Sequence, residues 1–319
     1  MKKLIALLLA LIAALSVLSG CSGGEKAKKG ISVVTTIFPI YDWVRNIAGG
    51  DSCEVEFLLD NGSDLHSFQP SAEDILTISS CDVFIYVGGE SDLWVNDALK
   101  EAKNKDIKSL SLLEALGDKA KEEETVEGME KEAEEENEPE ADEHVWLSLK
   151  NAELFTEKIE KLLSQADPQN ESLYKKNAEK YISKLEKLDN DYEKTVKSAE
   201  RDALVFGDRF PFRYLTDDYA LKYYAAFSGC SAETEASFET IIFLAKKVDE
   251  LKLPAVIKIE TSDGKIARTV KENTKSKSQD ILTLDSLQNA SAADIDAGKT
   301  YLGAMSDNLK VLKKAIGVK

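Results

Sequence analysis

The sequence predicts an α/β protein with two similar lobes, each a mostly parallel sheet covered by helices, joined by one long rigid helix. Three observations predict this fold. Short β-branched runs alternate with amphipathic stretches in the first half, the alternation restarts after residue 200, and one long helical pattern lies between. Such alternation is typical of parallel sheets. The chain has 319 residues, 43% of them hydrophobic, which is enough for two cores.

The first twenty residues are excluded from the fold. Two lysines precede an unbroken apolar run that ends on small residues directly before Cys21, a pattern typical of a secretory signal. Its "LSGC" ending resembles the lipobox of bacterial lipoproteins. We therefore expect residues 1–20 to be removed, Cys21 to carry lipid, and residues 21–30 to form a tether outside the cytoplasmic membrane. An uncleaved anchor is the alternative, but the run is shorter than the ~20 residues a span needs.

The first lobe is expected over residues 31–166. The stretches "ISVVTTIFPI", "CEVEFLLD" and "CDVFIYVGG" predict strands, whereas "YDWVRNIAGG" and the serine-capped "SAEDILTISS" predict helices. Within this lobe, residues 118–143 are predicted as an acidic disordered loop, because residues 122–143 hold thirteen acids and one lysine. This loop either only adds solubility or gathers metal ions.

The linking helix is expected over residues 167–200 and the second lobe over residues 201–319. Apolar residues recur in the linker at three- and four-residue steps, which indicates one amphipathic helix. In the second lobe "DALVFGD" and "LPAVIKIE" predict strands, and "SFETIIFLAKKVDELK" and "TYLGAMSDNLKVLKKAIG" predict helices. The apolar positions of the linker are Leu173, Tyr174, Tyr181, Leu185, Leu188 and Tyr192.

Charge and cysteine content limit the function. A net charge of −17 argues against nucleic acid and anionic lipid as partners and favours cations. Apart from Cys21, the chain has Cys53, Cys81 and Cys230, which are widely separated and lack the CxxC spacing of a thiolate metal site. We expect these three to be buried thiols, with at most one disulfide.

Only two histidines are present, His66 in "SDLHSFQPS" and His144 in "EADEHVWLSL", and each has an acid and an aromatic residue close by. Histidine, aspartate and glutamate are the usual ligands of divalent metals where no thiolate cluster exists. A single histidine is more often structural. Two of them at strand-to-helix junctions of one lobe predict metal ligands, and carboxylates must complete the shell.

Several motifs together carry a family resemblance. In order they are "TTIFPIYDWVRNIAG", "LLDNGSDLHSFQPSAEDILTISSCDVFIYVGG", "EHVWLSLKNAELF", the linker, "SAETEAS" and "LDSL" before the last helix. Over essentially the whole mature chain they resemble the metal-binding lipoproteins of zinc and manganese ABC importers, the cluster A-I solute-binding proteins. The resemblance implies one metal in the cleft between the lobes. It also implies a monomer, anchored by lipid outside the membrane, that delivers metal to an ABC permease and its ATPase.

The resemblance also implies the metal ligands. His66 and His144 match the two histidine motifs, and Asp285 in "TLDSL" matches a family aspartate. The third family ligand precedes an aromatic residue in an "HxxFxYL"-like motif, where "FGDRFPFRYL" places Arg209, and a guanidinium cannot bind a cation. We predict Asp208 instead. The alternatives are water and the carboxylates Glu260, Glu233 and Glu235, while Glu143 is expected at most beside a ligand.

The bound ion is predicted to be Zn²⁺, with Mn²⁺ as the alternative, because two imidazoles and two carboxylates suit both. Zinc-specific relatives carry a loop rich in histidine and acids at the place of the acidic loop, which favours zinc although histidine is missing here. We expect no enzymatic activity, since the HExxH pattern of zinc hydrolases is absent. A surface adhesin remains an alternative, because lipoproteins of this family have been described as attachment factors.

Overall fold

The computed structural model describes residues 30–50, 52–130, 140–231 and 235–318. The predicted signal peptide, the predicted lipidation site Cys21 and the alternative ligand Glu233 lie outside the described residues. None of the described helices is both long enough and apolar enough to cross a membrane.

The first lobe contains a four-stranded parallel sheet in the order β2-β1-β3-β4. Ser71 caps α2 in a reciprocal pair with Asp74, as its sequence predicts. The first strand covers the β-branched start of its stretch, as predicted, and Pro39 lies in the first turn of α1, where proline is favoured. The elements are β1 (Ile31–Thr35), α1 (Phe38–Ala48), β2 (Cys53–Phe57), α2 (Ala72–Ser80), β3 (Val83–Tyr86), α3 (Val95–Glu101), β4 (Lys108–Ser111), α4 (Leu112–Leu116) and α5 (Leu149–Ala166).

One long helix, α6 (Glu171–Lys197), connects the lobes and confirms the predicted linker. Its 27 residues correspond to about 40 Å at ~1.5 Å per residue. The helix packs on α1 and α5 of the first lobe and on the last helix of the second. Its apolar face is buried as predicted, apart from Leu173, which is exposed.

The second lobe repeats the plan of the first. Its parallel sheet has the order β6-β5-β7-β8, so the strand order of the first lobe recurs position by position. The elements are β5 (Ala203–Arg209), α7 (Arg213–Asp218), β6 (Lys222–Phe227), α8 (Phe238–Glu250), β7 (Ala255–Ile259), α9 (Lys265–Asn273), β8 (Asp280–Leu284), α10 (Ala292–Asp296) and α11 (Tyr301–Ala315).

The largest hydrophobic core continues from one lobe into the other. The rings of Trp43 in α1 and Tyr301 in α11 pack edge to face with centroids 5.1 Å apart. The Tyr301 hydroxyl donates to the Trp146 carbonyl at 2.7 Å, and the Trp146 indole donates to the Ser286 carbonyl at 2.8 Å. These buried contacts fix the two lobes relative to each other and so fix any site between them.

The described parts of the acidic segment, residues 118–130 and 140–143, are packed against the second lobe at several points, although they were predicted to be solvated throughout, and other residues of the segment are exposed. Met129 is buried, Gly128 accepts a hydrogen bond from Thr240 of the second lobe, and Arg213 pairs with Glu124 at 2.9 Å. Asp142 and Glu143 are also buried. The prediction relied on composition alone, and composition cannot show that the folded second lobe supplies contacts to this acidic segment.

Candidate metal centre

The two histidines meet at the carboxyl edge of the first sheet, where parallel α/β sheets usually hold ligands. His66 lies in the short 3-10 helix Leu65–Ser67 after β2, whose first turn is capped by Asp64. His144 directly precedes the 3-10 helix Val145–Leu147 and is fully buried. Their Nε2 atoms face each other at 3.2 Å.

The other ring nitrogen of each histidine is held by an acceptor. Nδ1 of His144 lies 2.9 Å from Oδ1 of Asp142. Nδ1 of His66 lies 3.1 Å from the Ser91 hydroxyl and 3.4 Å from Glu143 Oε2, and that hydroxyl itself donates to Glu143. A carboxylate can only accept, so Nδ1 of His144 carries a proton, and His66 is set up in the same way. Carboxylate partners of this kind orient metal-binding imidazoles.

This arrangement turns both Nε2 lone pairs toward one point. Two nitrogens that bind one tetrahedral zinc at ~2.0–2.1 Å are about 3.3 Å apart, close to the observed separation. In neutral rings the facing lone pairs repel each other, and a cation between them removes the repulsion. The separation of the two nitrogens therefore fits two imidazoles that share one divalent metal.

The surrounding acids set the protonation of the centre. Burial would lower the pKa of His144, but Asp142, aided by Glu123 and Glu143, outweighs burial and raises that pKa. Burial would likewise raise the pKa of Glu143, but hydrogen bonds from His66 and Ser91 lower it below its ordinary value. A negative field thus surrounds the two imidazoles and favours a cation there.

A third potential ligand was not predicted from the sequence. Among the described residues, Cys230 forms a group with His66 and His144 in which one ligand atom of each lies within 4.8 Å of the others. Within the part of the chain that the structure describes, Cys53, Cys81 and Cys230 form no disulfide. Cys81 is buried as predicted, whereas Cys53 and Cys230 are only half-buried. The available signal was the position of Cys230 just after β6, at the same edge of the second sheet that His66 occupies in the first. Because Cys230 is not part of a CxxC pair, its position alone did not identify it as a metal ligand.

Asp208, the predicted third ligand, lies outside this group and has other partners. Its Oδ1 accepts from the Arg209 amide at 2.9 Å and its Oδ2 from the Ile259 amide at 3.2 Å. The Arg209 guanidinium reaches Asp64 of the first lobe at 3.0 Å. The "FGDRFPF" stretch therefore presents a cation, and not a carboxylate, toward the loop of His66.

The remaining predicted carboxylates also lie outside the group. Asp285 Oδ2 is 2.7 Å from Lys299 Nζ, and its Oδ1 accepts from the Leu287 amide. Both oxygens of Glu260 accept hydrogen bonds from Ser286, one from its amide and one from its hydroxyl. Glu235 is exposed, 3.9 Å from Lys265 Nζ.

An open pocket of about 430 Å³ leads to the centre. It brings solvent to His66 and Cys230, and two of its lining residues, Glu90 and Glu140, are acidic. Acidic walls concentrate cations near such an opening. The remaining lining residues are Phe68, Gln69, Ser91, Leu93 and Trp94.

Two parallel-sheet lobes joined by a stiff helix, with paired histidines at the sheet edge, define a two-lobed solute-binding protein arranged for a metal ion. The chain belongs to the family described as zinc-uptake complex component A, periplasmic (ZnuA), which matches residues 33–315. The predicted family and fold are thereby confirmed.

The chain is similar to two characterised relatives and to one solved structure. It is 33% identical to the zinc-binding lipoprotein AdcA of Streptococcus pneumoniae over 98% of its own length, but spans only 61% of that relative. It is 28% identical to the high-affinity zinc uptake system protein ZnuA of Bacillus subtilis, covering 94% of this chain and 91% of that one. The crystal structure of the Zn(II)-bound ZnuA-like domain of S. pneumoniae AdcA superposes with a TM-score of 0.71 at 30% identity, covering 90% of this chain and 99% of the domain.

Proposed function

We propose that this protein captures a zinc ion between His66 and His144 outside the cytoplasmic membrane and delivers it to an ABC permease. The observation that carries the proposal is the 3.2 Å separation of the two Nε2 atoms, each turned toward the other by a partner on Nδ1. The choice of metal is supported by two relatives, the zinc-binding lipoprotein AdcA and the high-affinity zinc uptake system protein ZnuA. The role needs binding and release but no chemical turnover.

The partners follow from the same role. We propose that lipid on Cys21 holds a monomer at the membrane, where a permease and its ATPase accept the metal. Tethering near the permease raises the local concentration of loaded protein, so transfer does not depend on diffusion through bulk solution. Manganese is the competing cargo, and attachment to a host surface is the competing role.

The proposal depends on the two histidines and does not require the two predicted carboxylates, Asp208 and Asp285, as ligands. Asp208 would have to give up two backbone amides to bind metal, and Asp285 would have to leave Lys299. Their role as ligands stays a prediction, which Asp208→Asn and Asp285→Asn test. We expect each of these variants to change zinc affinity far less than loss of either histidine.

The main experiment measures zinc affinity by competition with a fluorescent chelator. The chain from residue 22 is stripped of metal and titrated with zinc and with manganese, alongside His66→Ala, His144→Ala and the exposed control Asn96→Ala. We expect tight zinc binding, a rise of the thermal midpoint on zinc addition, loss of both in the histidine variants, and no change in the control. A thermal midpoint of the stripped protein that changes with neither zinc nor manganese would overturn the proposal.

A second measurement addresses the role in the cell. A strain lacking the chain should fail to grow when zinc is limiting, and the wild-type sequence should restore growth where His144→Ala does not. Restoration by His144→Ala would contradict zinc delivery. Binding to host cells that persists in that variant would instead support attachment.

A further inference from the structure

Cys230 occupies a loop between β6 and α8 that approaches the two histidines from the second lobe. Its sulfur and one nitrogen of each imidazole lie within 4.8 Å of one another. In a tetrahedral zinc site a sulfur at ~2.3 Å and a nitrogen at ~2.0–2.1 Å are about 3.6 Å apart. Side-chain movements of about 1 Å would therefore bring all three atoms onto one ion.

The loop is shaped to approach the imidazole of His144. A Cβ on Gly229 would lie 2.9 Å from Cε1 of His144 and 3.0 Å from the Phe210 carbonyl oxygen, so only glycine fits without displacement. The Cys230 amide donates to Glu123 Oε1 at 2.9 Å, which fixes the next residue of the loop. The close approach at Gly229 and the hydrogen bond of the Cys230 amide thus place the backbone of these two residues beside the histidine pair.

The position at which the family resemblance implies a third ligand cannot supply one here. By its spacing within "FGDRFPFRYL", Arg209 stands there, and its guanidinium pairs with Asp64. A cation in that position leaves the side of the centre that faces the second lobe without a ligand from β5. Among the described residues, Cys230 is the group from the second lobe that lies close enough to replace it.

We propose that Cys230 is the third protein ligand of the metal, binding as a thiolate beside His66 and His144. This inference rests on the proposed function, since it concerns the same ion. On binding, the Cys230 thiol loses one proton to solvent and its sulfur forms one bond to the metal. No oxidation state changes.

A thiolate in the shell also sets metal preference. Soft sulfur binds zinc far better than manganese, whereas two imidazoles with carboxylates accept both. The shell of two nitrogens and one sulfur therefore discriminates against manganese. The arrangement also joins the lobes through the ion, because both histidines come from the first lobe and the sulfur comes from the second.

Cobalt substitution tests the proposal, because a thiolate bound to Co²⁺ gives a strong charge-transfer band in the near ultraviolet. The chain from residue 22, which lacks Cys21, is stripped and titrated with Co²⁺ as wild type, Cys230→Ser, Cys53→Ser and His66→Ala. We expect the band in wild type and Cys53→Ser and its absence in Cys230→Ser. Zinc affinity should fall at least about 100-fold in Cys230→Ser, and manganese affinity should change much less.

The outcomes separate the two proposals. Cobalt binding by wild type without the band, or a band that survives in Cys230→Ser, would overturn the role of Cys230 and leave zinc capture intact. Absence of any metal binding by wild type would overturn the proposed function itself. Circular dichroism of each variant shows whether it is folded, and Cys230→Ala provides a second variant if the serine form does not fold.

Discussion

The guanidinium of Arg209, at the end of β5, lies 3.0 Å from Oδ2 of Asp64, whose other oxygen accepts from the His66 amide. One ion pair therefore links the second lobe to the loop that carries a proposed ligand. Arg209 stands where the resemblance led us to expect a ligand. Arg209, which cannot bind metal, therefore stabilises the loop that carries His66, a proposed ligand.

Replacing Arg209 with methionine tests this link. Burial would raise the pKa of Asp64, but Arg209 and His66 lower it below its ordinary value. A lowered pKa stabilises the fold above the unfolded value of about 4 and loses that effect as pH falls through the folded value. Arg209→Met should therefore cost about 1 kcal/mol near pH 7 and less near pH 3, where the pH is below the unfolded value. Urea unfolding of metal-free protein at both values measures the difference, and an equal cost at both would show that the ion pair is not its origin.

Several of the regular elements of this fold could be predicted because their signals are local. These signals include the capped start of α2, the apolar spacing of α6 and the short apolar runs of β1, β5 and β7, each contained within one continuous stretch of sequence. The restarted alternation predicted a second α/β lobe similar to the first, but it did not predict the order of the strands in either sheet. No prediction covered the strands β4, β6 and β8 or the helices α3, α5, α7 and α9. Short elements such as α4 and α10 were not predicted, since five residues carry little periodicity.

The site could be predicted only in part. His66 and His144 were found because histidine is rare in this chain, and each lies beside acids. Cys230 was not found, because its partners are 164 and 86 positions away and no local pattern joins them. The same limit applies to Glu123, whose contact with the Cys230 amide arises only when the acidic segment packs on the second lobe.

Asp142 orients His144, and we expect its charge to matter for affinity. Asp142→Asn keeps an oxygen that can accept from Nδ1 but removes the negative charge beside the ring. Loss of such a partner typically weakens metal binding about 10- to 100-fold. Asp97→Asn, which removes an exposed acid from α3, is the matched control for net charge. Equal affinities of the two variants would contradict an orienting role for Asp142.

Gly229 should be required for tight binding even though it offers no ligand atom. In Gly229→Ala the new methyl group would meet both the His144 ring and the Phe210 carbonyl, so the loop must move away from the centre. We expect a loss of zinc affinity of about tenfold or more with folding retained. Gly50→Ala adds a methyl group that meets no neighbour within 4 Å, so its cost arises from backbone strain alone. The zinc affinity of Gly50→Ala, measured by chelator competition, should therefore equal that of wild type.

Asp92 predicts a pH dependence of stability. Burial, reinforced by the charge of Glu143, raises its pKa to about 7, although the Gly88 amide donates to its Oδ2 at 2.9 Å. A carboxyl group with a raised pKa costs stability as pH rises from about 4, the unfolded value, to 7, and the cost is then constant.

Asp92→Asn should therefore remove that cost. The amide oxygen keeps the bond from Gly88, and no charge forms in the buried site. We expect the variant to match wild type near pH 4 and to exceed its unfolding free energy by at least about 1 kcal/mol at pH 8. Urea unfolding of metal-free protein measures this, and a stability gain that does not grow between pH 4 and pH 8 would contradict the assigned ionisation.

The contacts of Tyr301 predict that the lobes barely move when metal binds. Its ring packs on Trp43, its amide donates to Asp42, and its hydroxyl donates to the Trp146 carbonyl, so α11 is tied to the first lobe at three points. A continuous core with buried polar bonds resists hinge closure. Small-angle scattering should therefore give the same radius of gyration with and without zinc.

Tyr301→Phe should lower the free energy of unfolding without changing the relative position of the two lobes. Removal of the hydroxyl leaves the buried Trp146 carbonyl without this donor and should cost about 1–2 kcal/mol. The ring contacts remain, so the scattering curve should not change, and zinc affinity should fall only slightly. A clear contraction of wild type on zinc binding would contradict the rigid arrangement. If rigidity holds, release cannot come from opening of the lobes, and the permease must act on the short loops that carry His66 and Cys230.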